Sequence, residues 1–235
     1  MRFSAFSHQG GQKLNCDSIS KITQDGVCAF ILSDGGSFCG DIVSSLICDT
    51  AINELKQDLR VDSAVLGKCF KKIQDTIAKK TDEDDGFKNA SASCAILIAN
   101  NGRAVWGHIG NCRIYRLKRS KIISVTDDHT NAFKKFANKE IEYEDIAKYD
   151  DGSVLIGINA KNTIDADISD VKKINENNSF LICSDGFWKG IDINTIQELH
   201  KKSNGTKAWL GAMLTHIEKN LKNDCDSISA VAINL

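Results

Sequence analysis

Apolar and polar positions change period along this chain, and each change marks an element. Residues 17–22, Asp17-Ser-Ile-Ser-Lys-Ile22, alternate, and Cys28-Ala-Phe-Ile-Leu32 is unbroken. Period two beside a continuous apolar run predicts a half-buried strand followed by a strand buried on both faces. With the segment before them, residues 1–35 read as three short strands separated by polar turns. The period then lengthens. Asp41 to Leu59 sets Val43, Leu46, Ile47, Ala51 and Leu55 on one stripe, and Asp62 to Lys79 does the same with Leu66, Cys69, Phe70, Ile73 and Ile77. That spacing belongs to two helices with one face each to bury.

Beyond an acidic loop at 81–86, strand-like runs at Ser93–Ala99, Arg103–Ile109, Arg113–Leu117 and Lys121–Val125 are joined by short polar turns. Consecutive strands with short turns predict an antiparallel meander. Residues 129–149 carry weak helical periodicity, and 150–177 is poorly patterned apart from a predicted strand over 163–168. Ser179–Ser184 reads as a strand. Helices are predicted over Ile193–Lys202 and from Thr206, as N-cap, to Leu221, the second carrying Trp209, Leu210, Met213 and Ile217 on one face. The last strand is Ile228–Leu235. Two groups of strands and two pairs of amphipathic helices predict an α+β fold: a four-layer α-β-β-α sandwich, two central, mainly antiparallel sheets flanked by helix pairs, in one domain over 1–235.

Composition narrows the function classes. Lys+Arg and Asp+Glu stand at 30 and 31 in 235 residues, a formal net charge of −1, so no global field draws the protein to nucleic acid or to a membrane. Apolar runs such as Ala95–Ala99 fall far short of the ~20 residues of a membrane span. The N-terminal residues lack the basic segment and apolar core of a secretory signal, which leads to the expectation of a cytoplasmic protein. Nine cysteines, an odd number lying mostly in apolar runs and without a C-x-x-C pair, read as buried free thiols rather than disulfides or a zinc site.

The candidate chemistry lies in aspartates. Asp-Gly begins at 25, 34, 85, 151 and 185, and the pair is ordinarily a turn. Asp34 and Asp185 differ from the others: each directly follows a buried-strand signature, where a carboxylate projects from the end of a rigid sheet. Asp17 and Asp226 stand where apolar runs begin, each inside the same string, Cys-Asp-Ser-Ile-Ser, at 16–20 and 225–229. If a fold gathers all four, their repulsion at ~4 Å is about 4 kcal/mol per pair at an effective dielectric of about 20. A hard, oxygen-binding divalent metal is the natural occupant.

Six motifs in order resemble the metal-dependent, type 2C family of protein serine/threonine phosphatases. They are Ser7-His-Gln-Gly-Gly-Gln-Lys-Leu-Asn-Cys-Asp17-Ser18, Leu32-Ser-Asp34-Gly35 with Gly40-Asp-Ile-Val-Ser44, and Trp106-Gly-His-Ile-Gly-Asn-Cys-Arg113-Ile-Tyr115. Thr126-Asp-Asp-His129-Thr130, Cys183-Ser-Asp185-Gly186-Phe-Trp188 and Asp226-Ser-Ile-Ser229 complete the series. The resemblance implies hydrolysis of phosphoserine and phosphothreonine in proteins by a metal-activated water at a centre of two Mg²⁺ or Mn²⁺ ions. It implies that Asp34 bridges the metals, Gly35 offers its carbonyl, Asp17 binds or supports that pair, and Asp185 and Asp226 complete the other site. Partners would then be phosphorylated proteins, a serine/threonine kinase or its targets among them. The alternative reading is a catalytically weak or inactive relative that binds phosphoproteins as a signalling module.

Three positions depart from the family pattern. Gln12 replaces a phosphate-binding arginine, leaving Lys13 as the candidate point charge for substrate phosphate. Asn111 replaces an aspartate linked to a third, weaker metal, so that a third site is expected to be weakened or lost. The stretch Asp34-Gly-Gly-Ser-Phe-Cys-Gly40 lacks a histidine that could protonate the leaving group. His108, His129, Arg113, Tyr115 and the three tryptophans read as structural residues, and the 129–177 segment as the place where substrate choice resides.

Overall fold

The computed structural model describes residues 1–36, 38–160, 165–219 and 225–235. Five strands form one antiparallel sheet: β1 (Arg2–His8), β6 (Arg113–Lys118), β7 (Lys121–Val125), β11 (Asn178–Cys183) and β12 (Ile228–Asn234), in the order β1-β12-β11-β6-β7. The second sheet is built from β2 (Asp17–Gln24), β3 (Val27–Gly35), β4 (Ser91–Ala99), β5 (Arg103–Ile109) and β10 (Lys172–Lys173), in the order β10-β5-β4-β3-β2. Two short strands, β8 (Ile158–Asn159) and β9 (Asp167–Ile168), add to β4 and β5.

The alternation within each buried strand explains the layering. Along β3, Ala29 and Ile31 face α1 (Gly40–Leu55) and α2 (Ser63–Glu83), packing with Val43, Ile47, Leu66 and Ile73. Phe30 and Leu32 face the other way, meeting Ile114, Phe180, Ile182, Val231 and Ile233 between the two sheets. The outer face of the first sheet buries Leu181, Ala230 and Ala232 against α6 (Ile193–Lys202) and α7 (Thr206–Glu218), with Trp209 and Met213 at the centre of that layer. The result is the α-β-β-α sandwich that the periodicity predicts.

Three local expectations change. The predicted meander is divided: β4 pairs with β5 and β6 with β7, but β5 and β6 belong to different sheets. The chain crosses at Gly110–Cys112, where Gly110 takes a φ of +92° and an added Cβ would lie 2.1 Å from Ser93 Oγ. Only glycine fits that corner. At α7 the cap is Gly205, at φ +99°; Thr206 is the first helical residue and its hydroxyl bonds Ser4 Oγ at 2.9 Å. Of the strand expected over 163–168, Asp167–Ile168 is present, while residues 163 and 164, like Leu221 at the expected end of α7, lie outside the described residues. No helix among the described residues is long and apolar enough to cross a membrane.

Candidate metal centre

Each sheet brings two of the four aspartates to the same end of the sandwich. Asp17 opens β2 and Asp34 lies near the end of β3, and the antiparallel register sets them directly opposite each other. Like charges in that position repel. In the other sheet β11 ends beside the start of β12, Cys183 opposite Ala230, so that Asp185 and Asp226 both leave the sheet at that edge. Ser184 joins the two halves: its hydroxyl donates to Asp17 Oδ2 at 2.8 Å and accepts from the Ser229 amide at 3.0 Å. Cys16 N–H donates to Ser227 Oγ at 3.1 Å, a second tie between the sheets.

Backbone close approach completes the floor. The Gly35 amide bonds the Cys16 carbonyl at 2.9 Å, and a Cβ on Gly35 would meet the Gly40 carbonyl oxygen at 2.0 Å. Gly10 has a φ of +63°, and its Cβ would meet the Asp226 carbonyl oxygen at 2.0 Å. Neither position admits a side chain.

Asp34, Gly35, Asp185 and Asp226 line one cleft of about 390 Å³, together with Gln12, Cys16, Asn111 and, from the segment after Asp150, Gly152, Val154 and Gly157. Asp17 sits behind this wall, buried. Lys13 is exposed and does not line the cleft, whereas Gln12 beside it does. Asn111 is buried: its Oδ1 accepts from Ser93 Oγ at 2.7 Å, its Nδ2 donates to Asp185 Oδ2 at 3.1 Å, and its carbonyl accepts the Trp188 indole N–H at 2.9 Å.

The electrostatics are those of a site built for cations. Burial pushes the Asp17 carboxyl up to about 7, with the charges of Asp185 and Asp226 adding to it against the hydrogen bonds it accepts. Burial and then the charges of Asp185, Asp17 and Asp226 raise Asp34 well above the usual carboxylate range, and burial followed by Asp185 raises Asp226. Asp17 Oδ1 and Asp185 Oδ1 are buried oxygens without a hydrogen-bond partner. Orphaned acceptors on mutually repelling carboxylates are the donor set that a hard divalent ion requires. The residues present fit such ions.

Sequence reasoning missed three residues here. Ser184 precedes Asp185 in the motif and carried a signal that could have been read. Lys189 stands four residues after Asp185, its Nζ 2.8 Å from Asp185 Oδ2 and 3.7 Å from Asp150 Oδ1. Burial disfavours that ammonium, but Asp185 and Asp150 outweigh it and raise its pKa. Asp150 lies in the unpatterned stretch and gave no signal at all.

The neighbouring motif residues are structural. The guanidinium of Arg113 grips both oxygens of Asp128, Nε lying 2.9 Å from Oδ1, and stacks 3.5 Å from the centre of the Trp188 ring, with all three buried. Asp128→Ala is expected to cost about 3–5 kcal/mol of stability, because it leaves a buried guanidinium unpaired; the urea midpoint of the purified variant measures this. One other group of ligand-type atoms clusters among the described residues: His108, His129 and Asp167, within 4.8 Å of one another. The Gly110 amide donates to His129 Nδ1 at 3.1 Å, which leaves the ring proton on Nε2, facing Asp167 Oδ2 at 3.1 Å. His108 gives Nε2–H to the Asp127 carbonyl at 2.8 Å. Both rings are committed to hydrogen bonds that hold the crossing between the sheets. All nine cysteines are free thiols, and burial raises Cys48 and Cys69 to about 12, which leaves them unreactive. Cys28, expected in the core, is half-buried.

Four carboxylates gathered at one end of a double-sheet sandwich form a donor set suited to hard divalent ions. A sequence model of the family described as Protein phosphatase 2C matches residues 6–223. The chain belongs to that family, and with it to the protein serine/threonine phosphatases. Its fold is similar to a bacterial serine phosphatase at 17% identity and a TM-score of 0.90, over 100% of this chain and 97% of that one. Similar too are the serine/threonine phosphatase Stp1 from Staphylococcus aureus, at 16% identity and a TM-score of 0.89 over 99% and 94%, and the catalytic domain of PstP solved in complex with two manganese ions, at 18% identity and 0.83 over 99% and 97%. No curated protein sequence matches the chain.

Proposed function

We propose that this chain is a single catalytic domain that hydrolyses phosphoserine and phosphothreonine esters in cytoplasmic phosphoproteins, using two Mn²⁺ or Mg²⁺ ions held by Asp17, Asp34, Gly35, Asp185 and Asp226. The observation that carries it is the meeting of aspartates from both sheets at one cleft, Asp34, Asp185 and Asp226 lining it and Asp17 buried behind its wall, with unpaired buried oxygens on Asp17 and Asp185. Bound there, a pair of divalent ions supplies an activated water and neutralises phosphoryl charge.

The chain's own residues do the rest. Asp34 projects into the cleft from the end of a strand buried on both faces, so that its position is fixed by the core. Ser184 holds Asp17 in place from the other sheet. Gln12 on the wall offers an amide to a phosphoryl oxygen, a weaker hold than a charged, two-pronged arginine gives. Lys13, exposed nearby, adds long-range attraction for the phosphate.

The test is hydrolysis of p-nitrophenyl phosphate and of a phosphothreonine peptide with and without Mn²⁺. Metal-dependent turnover of both is expected. A protein that binds Mn²⁺ and turns over neither is a binding module, and the reading fails. Gln12→Arg is expected to lower KM for the phosphopeptide about tenfold, the worth of a charge-assisted hydrogen bond, with kcat little changed, while Lys13→Ala raises KM no more than about twofold, as a screened charge would. Steady-state kinetics at two ionic strengths measures both.

A further inference from the structure

The two oxygens of Asp185 have unlike surroundings. Oδ1 is buried and has no partner. Oδ2 accepts two N–H bonds, from Lys189 Nζ at 2.8 Å and from Asn111 Nδ2 at 3.1 Å. A carboxylate oxygen has about two lone-pair directions, so Oδ2 has none left for a metal ion. Oδ1 is the oxygen that remains for one.

Both donors are held. Asn111 cannot turn its oxygen towards Asp185, because that oxygen already accepts from Ser93 Oγ. Lys189 caps α5 (Asp185–Trp188), one helical turn beyond Asp185, and its side chain is three-quarters covered. The same ammonium lies 3.7 Å from Oδ1 of Asp150, whose side chain is fully buried. Asp150 begins the segment whose Gly152, Val154 and Gly157 line the same cleft as Asp34, Asp185 and Asp226.

We infer that Lys189 is a built-in cation of the site: with Asn111 it fills the outer face of Asp185, closes the centre at two metal ions, and ties the cleft rim to a metal-binding carboxylate through Asp150. This rests on the two-ion reading above. The charges agree with it, since two divalent ions balance the four aspartates and Lys189 balances Asp150. Lys189 is a positioning residue, and a fixed side-chain charge takes the place of an exchangeable ion. The rim is then anchored whatever the free metal concentration.

The experiment counts Mn²⁺ ions bound to chelator-stripped protein by electron paramagnetic resonance across micromolar to millimolar free Mn²⁺, with circular dichroism confirming that each variant is folded. Wild type and Lys189→Arg are expected to bind two ions, and the double variant Lys189→Asp, Asn111→Asp to bind three, the last weakly. Three ions on wild type or on Lys189→Arg, or two on a folded double variant, overturns the role of Lys189 and leaves the hydrolase reading standing. Wild type that binds no Mn²⁺ removes the metal centre and this inference together.

Discussion

Asp34→Asn is expected to lower metal-dependent kcat/KM by about a thousandfold or more while making the metal-free protein more stable. The loss follows from position. Asp34 reaches the cleft from within a strand buried on both faces, and a neutral amide there removes one of the charges that would hold two divalent ions together. Lewis-acid stabilisation of phosphoryl transfer is worth several kcal/mol, and each 1.36 kcal/mol is tenfold in rate. The gain follows from the same geometry. Asp34 lies directly across the strand pair from Asp17, and the charges of Asp185, Asp17 and Asp226 all act on it. Without metal this repulsion has nothing to offset it, so its removal should raise the melting temperature at pH 8 by several degrees, about 2–4 °C per kcal/mol for a chain of this size. Differential scanning fluorimetry with chelator, beside the p-nitrophenyl phosphate assay, reads both. A variant that loses activity and stability together would show Asp34 to be a folding residue; one that keeps Mn²⁺-dependent activity would remove it from the centre.

Stripping the metal should destabilise the protein strongly at pH 8 and hardly at all at pH 5. The folded, metal-free cluster holds protons at pH values where the unfolded chain has released them: Asp17 is raised to about 7, and Asp34 and Asp226 are raised as well. A carboxyl whose folded pKa is raised contributes stability that is fully present below its unfolded pKa, near 4, and lost as pH climbs through the folded value. The metal-free protein therefore weakens between about pH 4 and 7, and Asp17 alone sets an upper figure on the order of 4 kcal/mol for a shift of about three units. Metal binding runs the other way, because it needs the deprotonated carboxylates. The gap in melting temperature between Mn²⁺-loaded and chelated protein should thus widen from pH 5 to pH 8. Taking the gap cancels the titration of groups away from the centre. A gap independent of pH would mean that these aspartates are not the metal ligands.

Those four aspartates were legible because each stands at the end or the start of an apolar run, where strand periodicity stops and a side chain must leave the sheet. The layers were legible for a related reason: an unbroken run such as Ala29–Leu32 has to be covered on both faces, by a helix pair on one and a second sheet on the other, and a second amphipathic helix pair is there to cover that sheet's far face. The crossing at Gly110–Cys112 was not. In sequence it looks like any short polar turn, and what diverts it is a tertiary contact, Ser93 pressed against a glycine of positive φ. The displacement of the α7 cap from Thr206 to Gly205 has a similar origin, since the Thr206 hydroxyl is drawn to Ser4 on a distant strand. Lys13 was named by its charge, but the wall position belongs to Gln12, and a choice between adjacent residues depends on the path of an irregular loop. Asp150 lay hidden in a stretch without period, where only the lysine 3.7 Å from its carboxylate gives it meaning.

The first strand of the chain pairs along its whole length with the last, Arg2 opposite Asn234 and His8 opposite Ile228. During synthesis, then, β1 waits for a neighbour that lies far along the chain, and Asp226 arrives with that same late segment. Closing so long a loop is slow, and it comes last. A nascent or truncated chain can assemble the second sheet and its helices, yet it has neither a complete set of carboxylates nor a closed edge on the first sheet. Activity is in that sense expected to certify completed folding: a chain cut before Asp226 lacks both a carboxylate of the centre and the strand that closes the first sheet.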